Sequence, residues 1–231
     1  MKTIGLIGGM SWESSKLYYE ILNQEVKERL GGLHSAKCMM YSFDFEPIKQ
    51  LQFDGKWDEA AEQLKDAARR LENSGVDFIL LCTNTMHKLA EQIESNIGIP
   101  FLHIADATGQ VIQNNGLKKV GLLATRFTME EPFYKERLEQ RYGLEVIIPG
   151  DEDRNMIHEI IYQELCRGEI KESSKKEYRR VIQHLIEQGA EGIILGCTEI
   201  TLLIKQEDCE VPVFDTTYIH AVQAVEFALE S

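Results

Sequence analysis

Residues 74–85, SGVDFILLCTNT, and residues 188–200, QGAEGIILGCTEI, decide the fold. Each has a glycine (Gly75, Gly189) and an acidic residue two places later (Asp77, Glu191), then an apolar run ending in small hydroxyl-bearing residues. Runs that are short, apolar and not alternating fit strands covered on both faces of a parallel sheet. A helical pattern from Trp57 to Asn73 precedes the first segment, and another helix is expected from about Asn84. Ile4–Ile7 is a further buried run, ended by Gly8-Gly9 and followed by a helical pattern from about Ser14 to Leu30. Lys37–Phe43 and Pro100–Ile104 read as strands. Strands separated by helices predict an α/β fold.

The second half repeats the first. KTIGLIGGM (2–10) matches KKVGLLATRFTM (118–129), and GIPFLHIADATGQVI (98–112) matches EVPVFDTTYIHAVQAV (210–225). Gly121 follows Gly5 by 116 residues, Gly189 follows Gly75 by 114, and Pro212 follows Pro100 by 112. Near-constant spacing over three segments in one order is an internal duplication. The expected architecture is two similar parallel-sheet α/β domains related by a pseudo-twofold axis, with the active site in the cleft between them. The first would be 1–106 plus 217–231, the second 107–216.

Composition narrows the chemistry. The 231 residues are 43% hydrophobic and 27% charged, with 25 basic against 38 acidic groups, a net charge of −13. So negative a surface repels phosphate backbones and anionic lipid, so neither a nucleic-acid nor a membrane partner is expected. No apolar run approaches the roughly 20 residues of a membrane span. The N-terminus lacks a signal-peptide layout, which makes the expected location cytoplasmic. Five cysteines, an odd number with no Cys-x-x-Cys, argue against a disulfide framework or a zinc ribbon. The six histidines show no ligand spacing, and no metal is expected.

In parallel sheets ligands sit beyond the carboxyl ends of the strands. LLCTNTMH (80–87) and LGCTEI (195–200) are two such ends from equivalent places. Helices opening there would offer N–H groups to a carboxylate at Asn84-Thr85 and Thr198-Glu199, and would favour a cysteine thiolate. Adding 114 to position 83 gives 197, so Cys197 pairs with Thr83, and Cys82 with Gly196.

Through IGLIGGMSWES (4–14), LCTNTMHK (81–88), TRFTM (125–129) and GCTEI (196–200), the chain resembles the aspartate/glutamate racemase superfamily over its whole length. The resemblance implies racemisation of a small-molecule amino acid with no cofactor and no pyridoxal phosphate, by two thiols on opposite faces of Cα. Many relatives dimerise, so a homodimer is compatible with it. One departure stands out: the residue before Asn-Thr is normally the first catalytic cysteine, and here it is Thr83. Strand alternation should point Cys82 away from wherever Thr83 points, although a bulge at the strand end would reverse that. The expected catalytic pair is therefore Thr83 and Cys197, with Cys82 as the alternative to Thr83. The second-half cysteine of these racemases usually serves the L-isomer. A threonine can give a proton but is a poor base, so L-glutamate and L-aspartate are the preferred substrates.

The expected substrate-binding residues are Met10, Gln52, Asn84, Thr85, Thr125, Thr128, Thr198 and Glu199. For Thr125 and Thr128, turn or cap chemistry is the equal alternative. His103 and Asp215 are expected to hydrogen-bond behind the site, and Cys38 and Cys166 to pack in the core. His87, in the first turn of a helix, reads as a capping or half-buried histidine, with a role in holding a base or the substrate as the alternative. Lys49, Arg126 and Arg167 are candidate cations for a side-chain carboxylate. Strict aspartate racemases carry an arginine and a lysine about where Ile48 and Cys166 stand, so glutamate plus aspartate, or a broader range, fits better. The competing functions are a broad-specificity amino-acid racemase, a superfamily decarboxylase or isomerase using Cys197 alone, and a non-catalytic amino-acid-binding protein.

Overall fold

The computed structural model describes residues 1–230. The order is β1 (Ile4–Gly8), α1 (Trp12–Leu30), β2 (Cys38–Ser42), α2 (Phe45–Phe53), α3 (Trp57–Asn73), β3 (Phe78–Leu81), a 3-10 turn (Thr85–Leu89), α4 (Ala90–Glu94), β4 (Phe101–Leu102) and α5 (Ile104–Asn114). There follow β5 (Lys119–Ala124), α6 (Arg126–Glu130), α7 (Pro132–Tyr142), β6 (Glu145–Ile147), α8 (Asp151–Gln163), α9 (Glu172–Glu187), β7 (Gly192–Gly196), α10 (Ile200–Leu203), β8 (Val213–Asp215) and α11 (Thr216–Leu229). Short 3-10 turns lie at Leu165–Arg167 and Gln206–Asp208. The chain forms two compact units, 1–104 with 220–231, and 105–219.

Each unit holds a four-stranded sheet, ordered β2-β1-β3-β4 in the first and β6-β5-β7-β8 in the second, with every pairing parallel. The duplication extends to register. Gly5 pairs with Ile79 and Gly121 with Ile193, while Ile79 pairs with Phe101 and Ile193 with Val213. The sequence offsets are thus offsets between structurally equivalent residues.

In the first unit, alternation along β3 sorts side chains onto two faces. Ile79 and Leu81 join a core with Ile7, Ala60, Leu64 and Ala67 of the α2–α3 side. Phe78, Leu80 and Cys82 join a second core with Leu6, Tyr18 and Leu22, and with Ala221 and Val225 of α11. Covering both faces of the sheet is what allows strands with no polar side.

Sequence boundaries shift in three places. The Pro100–Ile104 strand shrinks to two residues, because Ile104 already opens α5. The helix expected from Asn84 begins as a 3-10 turn and becomes α-helical only at Ala90. Helix α2 was not anticipated; Asp44 caps it by accepting from the Glu46 amide, 3.4 Å away. Gly9 sits at φ +86, and a Cβ there would overlap the Phe43 backbone.

A hydrogen-bonded line crosses the second of these cores. Tyr18 Oη lies 2.8 Å from His220 Nδ1, and His220 Nε2 donates to the Leu102 carbonyl at 2.9 Å. In the neutral ring the hydrogen lies on Nε2, so the Tyr18 hydroxyl donates to Nδ1. Burial pushes His220 down to about 4. A histidine whose folded pKa lies below its unfolded value of about 6.5 supports the fold above that value and loses this support as pH falls toward 4. Expected outcome: from pH 7.5 to pH 5 the wild type loses about 2 kcal/mol more stability than His220→Gln, measured by urea unfolding at both pH values. Parallel losses in the two proteins would contradict the assignment.

Candidate active site

Parallel pairing places the ends of β1 and β3 at one level in the first unit, with Ile7 paired to Leu81. Just beyond, the Cys82 amide donates to the Ile7 carbonyl and the Thr83 amide to the Leu81 carbonyl, both at 2.9 Å. The second contact, two residues back, turns the chain sharply at the strand end. Ser14 Oγ donates to the Cys82 carbonyl at 2.9 Å, and Ser15 Oγ accepts from the Gly9 amide at 2.7 Å. These serines belong to α1, whose N-cap is Ser11; sequence reading passed over their role.

Cys82 is fully buried in the α1/α11 core, where desolvation drives its thiol strongly upward. Its repeat mate Gly196 has no room for a side chain, since a Cβ there would sit 2.9 Å from Leu122 Cδ1 and 3.0 Å from Ala124 Cβ. Both positions face packed interior. Thr83 lies one residue on and is 9% exposed. Its carbonyl accepts from His87 Nδ1 at 2.7 Å.

Gln52, on α2, is buried against Met86, its Nε2 2.8 Å from the sulfur, while its Oε1 has no hydrogen-bond partner. Rotating the amide would set the oxygen against a sulfur that cannot donate, so the orientation with Nε2 on Met86 is the one the contacts favour. A buried amide oxygen without a donor costs roughly 1–3 kcal/mol, which a bound ammonium or hydroxyl would offset. Met10 packs in the same core cluster as Met86. Asn84 and Thr85 are buried at the start of the 3-10 turn.

In the second unit β5 and β7 end level, with Ala124 paired to Gly196. Thr125 and Cys197 are the next residues. The Thr125 hydroxyl caps α6, accepting from the Thr128 amide at 3.5 Å, and lies 3.2 Å from the Thr128 hydroxyl. That is the cap chemistry weighed for this pair, and it occupies both side chains locally.

Cys197 is buried, and its thiol donates to Glu199 Oε2 at 3.0 Å. Thr198 Oγ1 donates to the same oxygen at 2.6 Å, and the Glu199 amide donates back to the Cys197 sulfur. The Glu199 and Thr198 side chains, expected on a substrate, are thus engaged with the cysteine segment itself. Helix α10, which follows, has only four residues. It is too short for the macrodipole effect expected of it. Desolvation first, and then the Glu199 carboxylate, push Cys197 well above an ordinary thiol, the reverse of the expected lowering. Desolvation holds the hydroxyls of half-buried Tyr162 and buried Tyr178 above the ordinary phenol range.

The candidate cations are otherwise engaged: Lys49 with Glu46 at 2.7 Å, Arg126 with Glu130 at 3.4 Å, and Arg167 with Gln163 at 3.0 Å. Cys38 and Cys166 are half-buried, Cys38 packing against the α1/α11 core as expected of it. His103 packs its ring against His87 at 4.5 Å, and Asp215 caps α11, accepting from the Thr217 amide at 2.9 Å and the Tyr218 amide at 3.1 Å. Among the described residues no group of three or more His, Cys, Asp or Glu could hold a metal, and no helix is long and apolar enough to cross a membrane.

Comparison with known proteins places this arrangement. The family model for Asp/Glu/hydantoin racemases matches residues 7–224. The chain belongs to that family. It is 29% identical to the broad-specificity amino-acid racemase RacX of Bacillus subtilis over 221 residues, spanning 93% of this chain and 92% of that protein. A candidate Asp/Glu racemase from Yersinia pestis superposes with a TM-score of 0.94 at 56% identity, covering all of both chains. An aspartate racemase homologue from Pyrococcus horikoshii superposes at 0.87 with 35% identity, again over both full chains. The chain is thus a racemase-family enzyme, an isomerase, with Thr83 at the end of the segment after β3 and the neighbouring Cys82 turned into the core.

If the Glu199 carboxylate holds the proton on Cys197, removing its charge should release it. Expected outcome: in Glu199→Gln, iodoacetamide alkylates Cys197 roughly tenfold faster at pH 8 than in wild type, read by peptide mass spectrometry. An unchanged or slower rate would contradict the assigned interaction. Cys82 should stay unmodified in both native proteins.

Proposed function

We propose that the protein racemises amino acids without a cofactor, Cys197 and Thr83 serving opposite faces of Cα and L-glutamate and L-aspartate being preferred. The observation that carries the reading is the equivalence of the two strand ends: the same register position presents Thr83 after β3 and Cys197 after β7. Deprotonating an amino acid needs a base on one face and an acid on the other.

Starting from the L-isomer, the thiol first gives its proton to Glu199, the acceptor already 3.0 Å away. The thiolate then takes the α-proton: the Cα–H bond breaks, an S–H bond forms, and the electron pair spreads onto the substrate carboxylate. Backbone N–H groups at Asn84-Thr85 and Thr198-Glu199 would stabilise that charge. Thr83, or a water it orients, returns a proton from the other face and regains one from solvent, while Glu199 releases its proton to solvent, so that every group ends the cycle as it began. A thiolate of raised pKa is a stronger base once formed, which suits so weak a carbon acid. The open Gln52 oxygen is a suitable acceptor for the substrate ammonium.

A broader substrate range is the second reading. Ion pairs or hydrogen bonds hold Lys49, Arg126 and Arg167, so none is left dedicated to a side-chain carboxylate. Similarity to a broad-specificity racemase points the same way.

Chiral chromatography of incubated L- and D-amino acids tests the proposal. Cys197→Ser should lower turnover of L-glutamate by at least roughly a hundredfold with the fold intact, because serine hardly ionises. Enantiomers have equal free energy, so kcat/KM must be equal in both directions. The L-preference therefore appears as a higher kcat from L with a proportionally higher KM. Thr83→Cys should raise kcat from the D-isomer. Turnover retained in Cys197→Ser, or lost in Cys82→Ser with Thr83→Cys neutral, would sink the assignment. Carbon dioxide release from malonates without amino-acid racemisation would establish the decarboxylase instead.

A further inference from the structure

His87 stands on the 3-10 turn after β3 and is 2% exposed. Its Nδ1 lies 2.7 Å from the Thr83 carbonyl oxygen. A carbonyl only accepts, so Nδ1 carries the hydrogen. At the other side of the ring the Ile104 amide donates to Nε2 at 3.2 Å. An amide only donates, so Nε2 is bare. Both contacts demand the same neutral tautomer, and a second ring proton would set N–H against N–H at Ile104. The ring is therefore not a free acid or base.

What it does instead follows from what it spans. Thr83 lies two residues beyond the end of β3, and Ile104, two residues beyond the end of β4, opens α5. One rigid ring thus bolts together the carboxyl ends of two neighbouring strands. Its surroundings hold it in place: the rings of His103, Phe101 and His220 lie 4.5, 5.7 and 5.9 Å from it, centroid to centroid. His220 in turn fixes the Leu102 carbonyl. Leu102 and Ile104, on either side of His103, are each held by a histidine nitrogen. The tight turn at Thr83 leaves its carbonyl with no partner in the sheet, and His87 supplies one.

We propose that His87 is a positioning residue: by bonding the Thr83 carbonyl while anchored on the Ile104 amide, it sets the direction of the Thr83 side chain and so the return of the proton on that face of the substrate. This rests on the reading of Thr83 and Cys197 as opposing groups. Misplacement by about 1 Å costs up to roughly a hundredfold in such a transfer. Cys197, in the other unit, would be untouched by the change.

The test uses partitioning, which does not depend on how much enzyme is folded. In deuterium oxide, L-substrate that loses its α-proton to Cys197 either inverts or, once the Cys197 hydrogen has exchanged with solvent, regains a deuteron on the original face. The ratio of exchanged L-isomer to inverted D-isomer reports how well the Thr83 face works. His87→Phe, which removes both contacts, should raise that ratio roughly tenfold. His87→Asn, whose amide can still donate to the Thr83 carbonyl, should recover much of the loss. Thr83→Val, run alongside, should raise the ratio at least as far. A raised ratio in Thr83→Val with no change in His87→Phe would overturn the proposal while the reading of Thr83 stood. No change in Thr83→Val would overturn that reading, and the proposal with it. Nitrogen-15 NMR of the wild type at neutral pH should find His87 as the Nδ1–H tautomer; the Nε2–H form would overturn the geometry on which the proposal rests.

Discussion

Parallel pairing in two small sheets is the constraint on which the rest depends. Antiparallel strands alternate their ends between two edges; parallel strands send every carboxyl end to one edge. Each sheet has its own such edge: in the first unit it collects the turn after β1, the Cys82–Thr83 turn and the α5 start, and in the second unit Thr125, Cys197 and Asp215. The polar edge is tolerated because helices cover both faces behind it, so the central strand β3 is buried at every residue. The chemistry and the core are consequently separated by a single residue. Cys82 belongs to the interior and Thr83 to the edge.

That one-residue division shows what was legible in the sequence. The apolar runs, the glycine stops and the offsets of 116, 114 and 112 residues contain the topology, because burial on both faces leaves a strand no polar positions to confuse the pattern. Alternation then put Cys82 and Thr83 on different sides, and the structure puts Cys82 in the core. The glycine at its repeat mate was a further signal available in the sequence: where Gly196 cannot accept a side chain, its equivalent is an interior position.

What was not legible depends on distances that pattern does not contain. A cysteine before Thr-Glu suggests a helix N-terminus and a lowered pKa. The thiol is buried away from water, the helix that forms is four residues long and the nearest charge is a carboxylate, so the sign reverses. The cations near the motifs could not be known to be engaged until Glu46, Glu130 and Gln163 were seen beside them. Helix α2 reads as a polar stretch, yet it brings Gln52 into a buried place beside Met86. The two-sided bonding of His87 joins residues 83 and 104, which nothing in local spacing connects.

The most direct test of the account is a crystal structure of the Cys197→Ser protein with L-glutamate bound. The account predicts that Cα lies between position 197 and Thr83, with the introduced serine hydroxyl and Thr83 Oγ1 each within about 4 Å of it on opposite faces, near the reach of proton transfer. It also predicts the substrate carboxylate on amides of the Asn84-Thr85 and Thr198-Glu199 segments. A ligand that meets only one of the two strand ends, or that brings the Cys82 sulfur to Cα in place of the Thr83 hydroxyl, would contradict it.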